Sequence, residues 1–183
     1  MTLNQLLNEV YSLGFESADE LTESFVFSTN RALKMIFSEL GPQTRITLDI
    51  TASDEKSFDL GKVVKNPLMI TSPPKDTMGA VICGAYCDGL SVTLPDSFVG
   101  KAVITYRVMP KSVTLDDGEH EIDVPPYLEH LLPLLTASFV LLDDDPEKAE
   151  VYAQIYRNEA RRTWRNYSLS QDSTYVDVTG WAT

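Results

Sequence analysis

The sequence predicts an α+β protein: a helical bundle interrupted by an inserted, mostly antiparallel β module and finished by an extended C-terminal tail. Three observations carry that expectation. Apolar residues recur at helical spacing over the first 40 residues and again over residues 125–166. Between them the chain alternates polar and apolar or breaks at turn signals. The 183 residues suit one domain with a sizeable insertion, and 43% hydrophobic content is enough to fill a core without disulfides or metals.

The first segment, 1–43, reads as two helices. Leu3, Leu6, Leu7 and Val10 fall at i, i+3, i+4 and i+7, which makes one apolar face. Gly14 is the expected C-cap. Ser17 and Glu20 then have the spacing of a capping box for a second helix. Its buried face is Leu21, Phe25, Ala32, Leu33, Ile36, Phe37 and Leu40, and Gly41-Pro42 stops it.

The β module is expected over 44–124. Residues 44–50 (TRITLDI) alternate as a half-buried strand does. Further β-rich runs are Gly79 to Cys87, Ser91 to Leu94 and Lys101 to Val108, divided by the turn signals Asp88-Gly89 and Pro95-Asp96. Pro67 to Asp76 contains three prolines and reads as an irregular loop. Ser112 to Leu115 and Glu119 to Val124 flank Asp116-Asp117-Gly118, which predicts a hairpin.

Helix returns over 125–166 as a hairpin packing on the N-terminal helices. From Leu128 to Leu142 the residues are apolar nearly all round, the mark of a buried helix, with Pro133 kinking it or sitting in its first turn. Asp145 suits an N-cap, Pro146 the first helical position, and Glu147 the positive end of the dipole. The last helix sets Ala149, Tyr152, Tyr156, Ala160 and Trp164 on one face and Arg157, Arg161, Arg162 and Arg165 mainly on others. Residues 167–183 then form a polar tail with Tyr167, Tyr175, Val176, Val178 and Trp181 as its large apolar side chains. Such a tail either folds back on its own domain or docks on a partner by strand addition or a pocketed aromatic; docking is the expectation.

Charge narrows the function classes. Lys and Arg number 15 against 27 Asp and Glu, a net charge of −12. Nonspecific nucleic-acid binding needs a basic surface, and docking on an anionic membrane needs one too. No apolar run reaches the length of a membrane span, and Met1 to Val10 has no basic n-region of a signal peptide. The surplus is uneven: residues 111–146 hold nine acids and one base. Asp116, Asp117, Asp143, Asp144 and Asp145 are its candidate channel or interface acids.

Chemistry-bearing patterns are weak. Gly100-Lys101 lacks the upstream glycine of a phosphate loop. Glu119-His120-Glu121 alternates through the expected hairpin in a solvated acidic stretch, so no catalytic role is expected there. His130 is expected as a satisfied histidine on the buried helix. Cys83 and Cys87, on one face of a strand, would lie about 13 Å apart, too far for a disulfide; both are expected as small packing residues. Asp143 to Asp145 lack the spaced ligands and glycine of a calcium loop and are expected to cap a helix in a solvated turn. No enzyme activity, metal or cofactor is expected.

The run Ile104 to Met109 (ITYRVM), then Ile122 to Arg162 (IDVPPYLEHLLPLLTASFVLLDDDPEKAEVYAQIYRNEARR), resembles the head-to-tail adaptor (connector) proteins of tailed bacteriophages. A strand-to-helix step of the type D-[VL]-P-x-x-[YL] leads there into an apolar helix, an acidic break and a long arginine-bearing helix. The match is close over Tyr106 to Arg165, covers the N-terminal helices in outline, and is nearest to podovirus-type adaptors with a β domain. The resemblance implies a structural virion protein at the neck, made in the bacterial host cytoplasm. It implies a homo-oligomeric ring, usually of twelve copies, beneath the portal protein. The ring extends the DNA channel, lets genomic DNA pass without specific binding, and offers a surface to a tail nozzle, tube or stopper. C-terminal segments of that family commonly reach onto the portal, a role that would fall to Tyr167, Tyr175, Val176, Val178 and Trp181. Arg157, Arg161, Arg162, Trp164 and Arg165 are the candidate subunit interface, facing the acidic 111–146 segment of a neighbour. The alternatives are another neck or tail component, a stopper or tail-completion protein, or an acidic DNA mimic that occupies a nucleic-acid-binding partner.

Overall fold

The computed structural model describes residues 1–13 and 21–172, with side chains described through Asn166. The architecture is α+β, with the β structure inserted between N-terminal and C-terminal helices. Two compact units result: Met1–Ile36 together with the chain from Lys111 onward, and Phe37–Pro110. These divisions fall inside the second helix and before the acidic segment, not at 43/44 and 124/125.

The helical unit begins with α1 (Leu3–Ser12), whose Leu3, Leu6, Leu7 and Val10 are all buried. Thr2 caps it through a reciprocal box: Gln5 N–H donates to Thr2 Oγ1 at 3.2 Å, and Thr2 N–H donates to Gln5 Oε1 at 2.8 Å. Gly14, Ser17 and Glu20 lie outside the described residues. The second helix, α2 (Glu23–Leu40), starts at a different cap from the expected one: Thr22 Oγ1 accepts from Phe25 N–H at 3.2 Å. Phe25, Ala32, Leu33, Ile36, Phe37 and Leu40 are buried as their spacing predicts, and Leu21 is half-buried.

The expected apolar helix is broken in two, α3 (Pro126–Glu129) and α4 (Leu132–Val140), because Pro133 occupies the first turn of α4. The break corrects one expectation. His130 stands at the end of α3 and is exposed, not buried. Leu128, Leu131, Leu132 and Leu135 form the buried wall instead. A fully buried leucine of this kind contributes about 1.5–3 kcal/mol. The last helix, α5 (Pro146–Asp172), packs on α4 and runs six residues past the expected end at Asn166, so Tyr167 belongs to the helix and not to a tail. Its inward face is Ala149, Tyr152, Tyr156 and Ala160, then the half-buried Thr163; Trp164, expected on that face, is 48% exposed. Tyr175, Val176, Val178 and Trp181 lie outside the described residues.

Residues 111–124 do not form the expected hairpin. Leu115–Asp117 is a single 3-10 turn, and Glu121 makes only an isolated antiparallel bridge to Thr2. The backbone groups a ladder would use are taken elsewhere in the helical unit. Val113 is held by the Asn30 side chain, which accepts from its N–H and donates to its carbonyl, both at 2.9 Å. Ile122 N–H donates to Met1 O at 3.0 Å.

The β unit holds two three-stranded antiparallel sheets. One has the order β1 (Gln43–Ile50), β6 (Gly100–Val108), β3 (Pro67–Ile70); the other has the order β2 (Ser57–Asp59), β5 (Ser91–Thr93), β4 (Tyr86–Asp88). β1 pairs with β6 over eight residues in unbroken register, from Gln43 opposite Arg107 to Ile50 opposite Gly100. Ile50, Leu60, Ile82, Val92, Leu94, Ala102, Ile104 and Tyr106 make the core. Two expectations are corrected here. Pro67–Ile70 is a strand, since proline is tolerated as the first residue of an edge strand. Residues 79–85 are not one. Gly79 and Gly84 have φ of 87° and 82°, which breaks extension before Tyr86. Cys83 is consequently exposed, whereas Cys87 is half-buried against the core.

Candidate functional site

The acids singled out by the sequence occupy two built turns of the helical unit. At the α4–α5 turn, Asp144 and Asp145 N–H groups both donate to Leu141 O, at 3.1 and 2.8 Å. Asp143 and Asp144 point to solvent. Asp145 caps α5: its Oδ1 accepts from Lys148 N–H at 3.1 Å, and its Oδ2 lies 3.3 Å from Lys148 Nζ. The hydrogen bond from Lys148 N–H holds the Asp145 carboxyl below the usual carboxylate range, against the desolvation that raises it.

Asp117 closes the other turn. Its Oδ2 accepts from both the Thr114 hydroxyl and the Thr114 N–H, at 2.9 and 2.8 Å, and those bonds depress its pKa. Asp116 beside it is exposed. Asn4 fastens the turn to the start of α1, its N–H donating to Gly118 O at 3.0 Å and its side-chain amide to Glu119 Oε1 at 2.6 Å. Glu119, His120 and Glu121 are all exposed, and His120 Nδ1 lies 3.8 Å from Asp117 Oδ1.

The basic face of α5 is partly satisfied within its own helix. Arg157 pairs with Glu150 and donates Nε–H to Ala153 O at 3.2 Å; Arg162 pairs with Glu159 at 2.8 Å. Exposed pairs of this kind contribute only a few tenths of a kcal/mol. Arg161, Trp164 and Arg165 are exposed on the same helix. The structure therefore gathers the five expected interface residues on one helix, with two arginines already oriented by neighbouring glutamates.

Sequence reading missed three features. Arg31 stacks over the Phe139 ring, 4.3 Å from its centroid. Val151 and Ile155, one turn apart on α5, are 55% and 39% exposed, so α5 carries an apolar stripe that faces away from α4. An open groove of about 690 Å³ is lined by Met1, Gln5, Asn8, Glu9, Glu129 and His130. There the Met1 ammonium pairs with Glu129 at 2.5 Å, and His130 Nε2 lies 3.2 Å from Thr163 Oγ1. The Arg31 stack joins residues far apart in sequence and has no local signature. The Val151/Ile155 spacing was legible as i, i+4.

Among the described residues no group of three His, Cys, Asp or Glu side chains is placed to hold a metal ion. No helix among them is long and apolar enough to cross a membrane. No protein-family model matches the chain, and no curated protein matches it.

Proposed function

We propose that the chain is a head-to-tail adaptor of a tailed bacteriophage, a ring subunit of the virion neck that sits beneath the portal, extends the DNA channel and docks the tail. The observation that carries the reading is chain order. Two N-terminal helices precede an inserted β unit, and an apolar helix, an acidic break and a 27-residue helix follow it. That is the order implied by the resemblance, which is close over Tyr106 to Arg165 and covers the N-terminal helices in outline.

The charge distribution supports the same reading. A channel wall rich in carboxylates does not hold DNA, because attraction to phosphates comes from Lys and Arg. Solvent-facing Asp116, Asp143 and Asp144 are available for such a wall. A closed ring needs two different complementary faces on each subunit. The arginine-bearing side of α5 and the acidic turns of 111–146 supply opposite charges for them. The partners are then further copies of this chain, the portal protein, and a tail nozzle, tube or stopper.

The test is the mass of the purified full chain, alone and mixed with a portal ring, by native mass spectrometry. Binding at about one copy per portal subunit, in line with a heterologous ring, is the expected result. A chain that stays apart from portal rings sinks the adaptor reading, and the stopper and DNA-mimic readings then take its place.

A further inference from the structure

The two sheets present four edges, and they are not alike. β2 and β4 are three residues long, and β3 begins with proline and is interrupted by a register shift between Pro67 and Met69. Short length, proline and irregular register are the usual protections of an exposed edge. β1 has none of them. It is eight residues long, free of proline, and in unbroken register with β6 on its one paired side.

In an antiparallel ladder every second residue turns its N–H and C=O away from its partner. Among the described residues, no backbone group beyond the β6 ladder bonds residues 43–50. The inner face of β1 is apolar and half-buried or buried at Ile46, Leu48 and Ile50. On the outer face Asp49 lies 3.9 Å from Lys101 across the ladder, whereas Arg45 is exposed and makes no ion pair among the described residues. The edge thus asks for a strand with apolar residues at alternate positions and a carboxylate opposite Arg45.

The sequence contains a segment of that pattern. Thr174–Val178 (TYVDV) alternates, is rich in strand-favouring residues, and carries one acid, Asp177. Set antiparallel with Asp177 opposite Arg45, it brings Val176 opposite Ile46 and Thr174 opposite Leu48 on the inner face, with Tyr175 opposite Thr47 outside. Only Ser173 separates this segment from the end of α5. Among the described side chains of that helix the last buried one is Ala160, and Trp164, Arg165 and Asn166 are exposed.

We infer that the open edge of β1 receives Thr174–Val178 of a second copy of this chain as an added strand, with Asp177 against Arg45. Main-chain bonds supply the affinity, and the Arg45–Asp177 pair fixes the register. The inference deepens the adaptor reading by naming a joint between ring subunits, and it leaves Trp181, beyond the strand, for other contacts.

The test uses full chains in which Cys83→Ser and Cys87→Ser remove the native thiols. One protein carries Arg45→Cys and the other Asp177→Cys. Facing strand residues have Cα atoms about 4.5–5.5 Å apart, within disulfide reach. Mixing the two under mild oxidation is expected to give a cross-linked heterodimer, about tenfold above a mixture of Asp49→Cys with Asp177→Cys, because paired strands hold the thiols at high effective concentration. Equal yields in the two mixtures overturn the inference. So does a disulfide that forms only when both cysteines are in one chain. A second arm needs no thiols: Arg45→Asp should weaken self-association about tenfold, the loss of one charge pair, and Arg45→Asp with Asp177→Arg should restore it. Failure of the double exchange to restore association also overturns the inference. Portal binding is scored separately: cross-linking by a chain that ignores portals sinks the adaptor reading alone, and portal binding without cross-linking sinks this inference alone.

Discussion

Arg107, next to the last residue of the β unit's long strand β6, caps the helix that leads into that unit. Its Nε–H donates to Gly41 O at 2.9 Å and its Nη1–H to Ser38 O at 2.5 Å, with the residue only 7% exposed. Carbonyls at a helix C-terminus have no partner inside the helix and carry partial negative charge, so a guanidinium there satisfies both requirements at once. Glycine at position 41 is required by the helix end itself, which it meets at close range. A Cβ at that position would lie 2.6 Å from Phe37 O and 2.9 Å from Phe37 Cα.

Removing that cap should be costly. Arg107→Met keeps much of the volume but strands buried carbonyls, and the expected loss is about 2–4 kcal/mol. Arg107→Lys retains the charge but not the fork, so an intermediate loss is expected. Urea unfolding of the three proteins measures it. Equal stability of all three would mean that water replaces the guanidinium.

The Asn30–Val113 clamp makes a second prediction. Asn30 replaces a strand neighbour for Val113, accepting from its N–H and donating to its carbonyl at 2.9 Å each. Asn30→Ala leaves both groups beside a buried side chain without a partner, an expected loss of about 2–3 kcal/mol. Asn30→Asp keeps the acceptor and loses the donor, so it should fall between the two. Hydrogen exchange at the Val113 amide is the direct readout. It should accelerate strongly in Asn30→Ala and little in Asn30→Asp; unchanged exchange in Asn30→Ala would show that the clamp does not protect this segment.

These two contacts also show where local pattern stops being informative. β1 and the apolar faces of α1 and α2 were legible because Ile46, Leu48 and Ile50, or Leu3, Leu6, Leu7 and Val10, each repeat at the period of the structure they form. The hairpin expected at 112–124 failed because its turn residues do something else. Asp117 closes a turn on Thr114, and the flanking backbone is satisfied by Asn30 and Met1, more than 80 residues away. The exposure of His130 was hidden by apolar neighbours, since a break before Pro133 turns the chain after α3. The candidate interface was legible as to which helix bears it, because the arginines cluster between Arg157 and Arg165, in the second half of α5. Their partners Glu150 and Glu159 follow from spacing, but the open edge of β1 depends on strand order, which no local window contains.

The helical unit contains two hydroxyls that oppose its stability. Thr29 Oγ1 and Thr136 Oγ1 are buried and have no hydrogen-bond partner among the described residues, and both residues are fully buried. Valine has the same shape without the polar atom. Thr29→Val and Thr136→Val should each raise stability by about 1 kcal/mol, and the two should be close to additive if the hydroxyls do not share a site. Thermal and urea unfolding measure both. A loss of stability in either variant would mean that the hydroxyl holds a buried water.

Asp143 and Asp144 should behave as surface residues. Both are exposed in the turn after α4, and the backbone there is held by Leu141 O and not by their carboxylates. The double change Asp143→Ala with Asp144→Ala is expected to move stability by less than about 0.5 kcal/mol. If the adaptor reading holds, it should change assembly with portal rings more than it changes folding. A large loss of stability by urea unfolding would show that these acids are held by an ion or a neighbouring chain.

Asp117 and Asp145 make folding pH-dependent in a defined direction. Hydrogen bonds from Thr114 to Asp117, and from Lys148 N–H to Asp145, hold both folded-state values below the usual carboxylate range. A group with a depressed folded pKa binds its proton more readily in the unfolded chain. Its contribution is therefore fully present above the unfolded value, about 3.9 for aspartate, and is lost as pH falls from there through the folded value. Between pH 5 and 8 these two groups should leave stability flat; below about pH 4 they should lower it. Asp145→Asn keeps an N-cap acceptor but removes the titration, so its unfolding midpoint should trail the parent's at pH 7 and converge with it at about pH 2. Thr114→Val removes the hydroxyl donor to Asp117 and should shrink the acid-dependent loss in the same way. Unfolding midpoints measured from pH 2 to 8 check both, and a constant gap between Asp145→Asn and the parent across that range would show that the carboxylate charge contributes nothing to the cap.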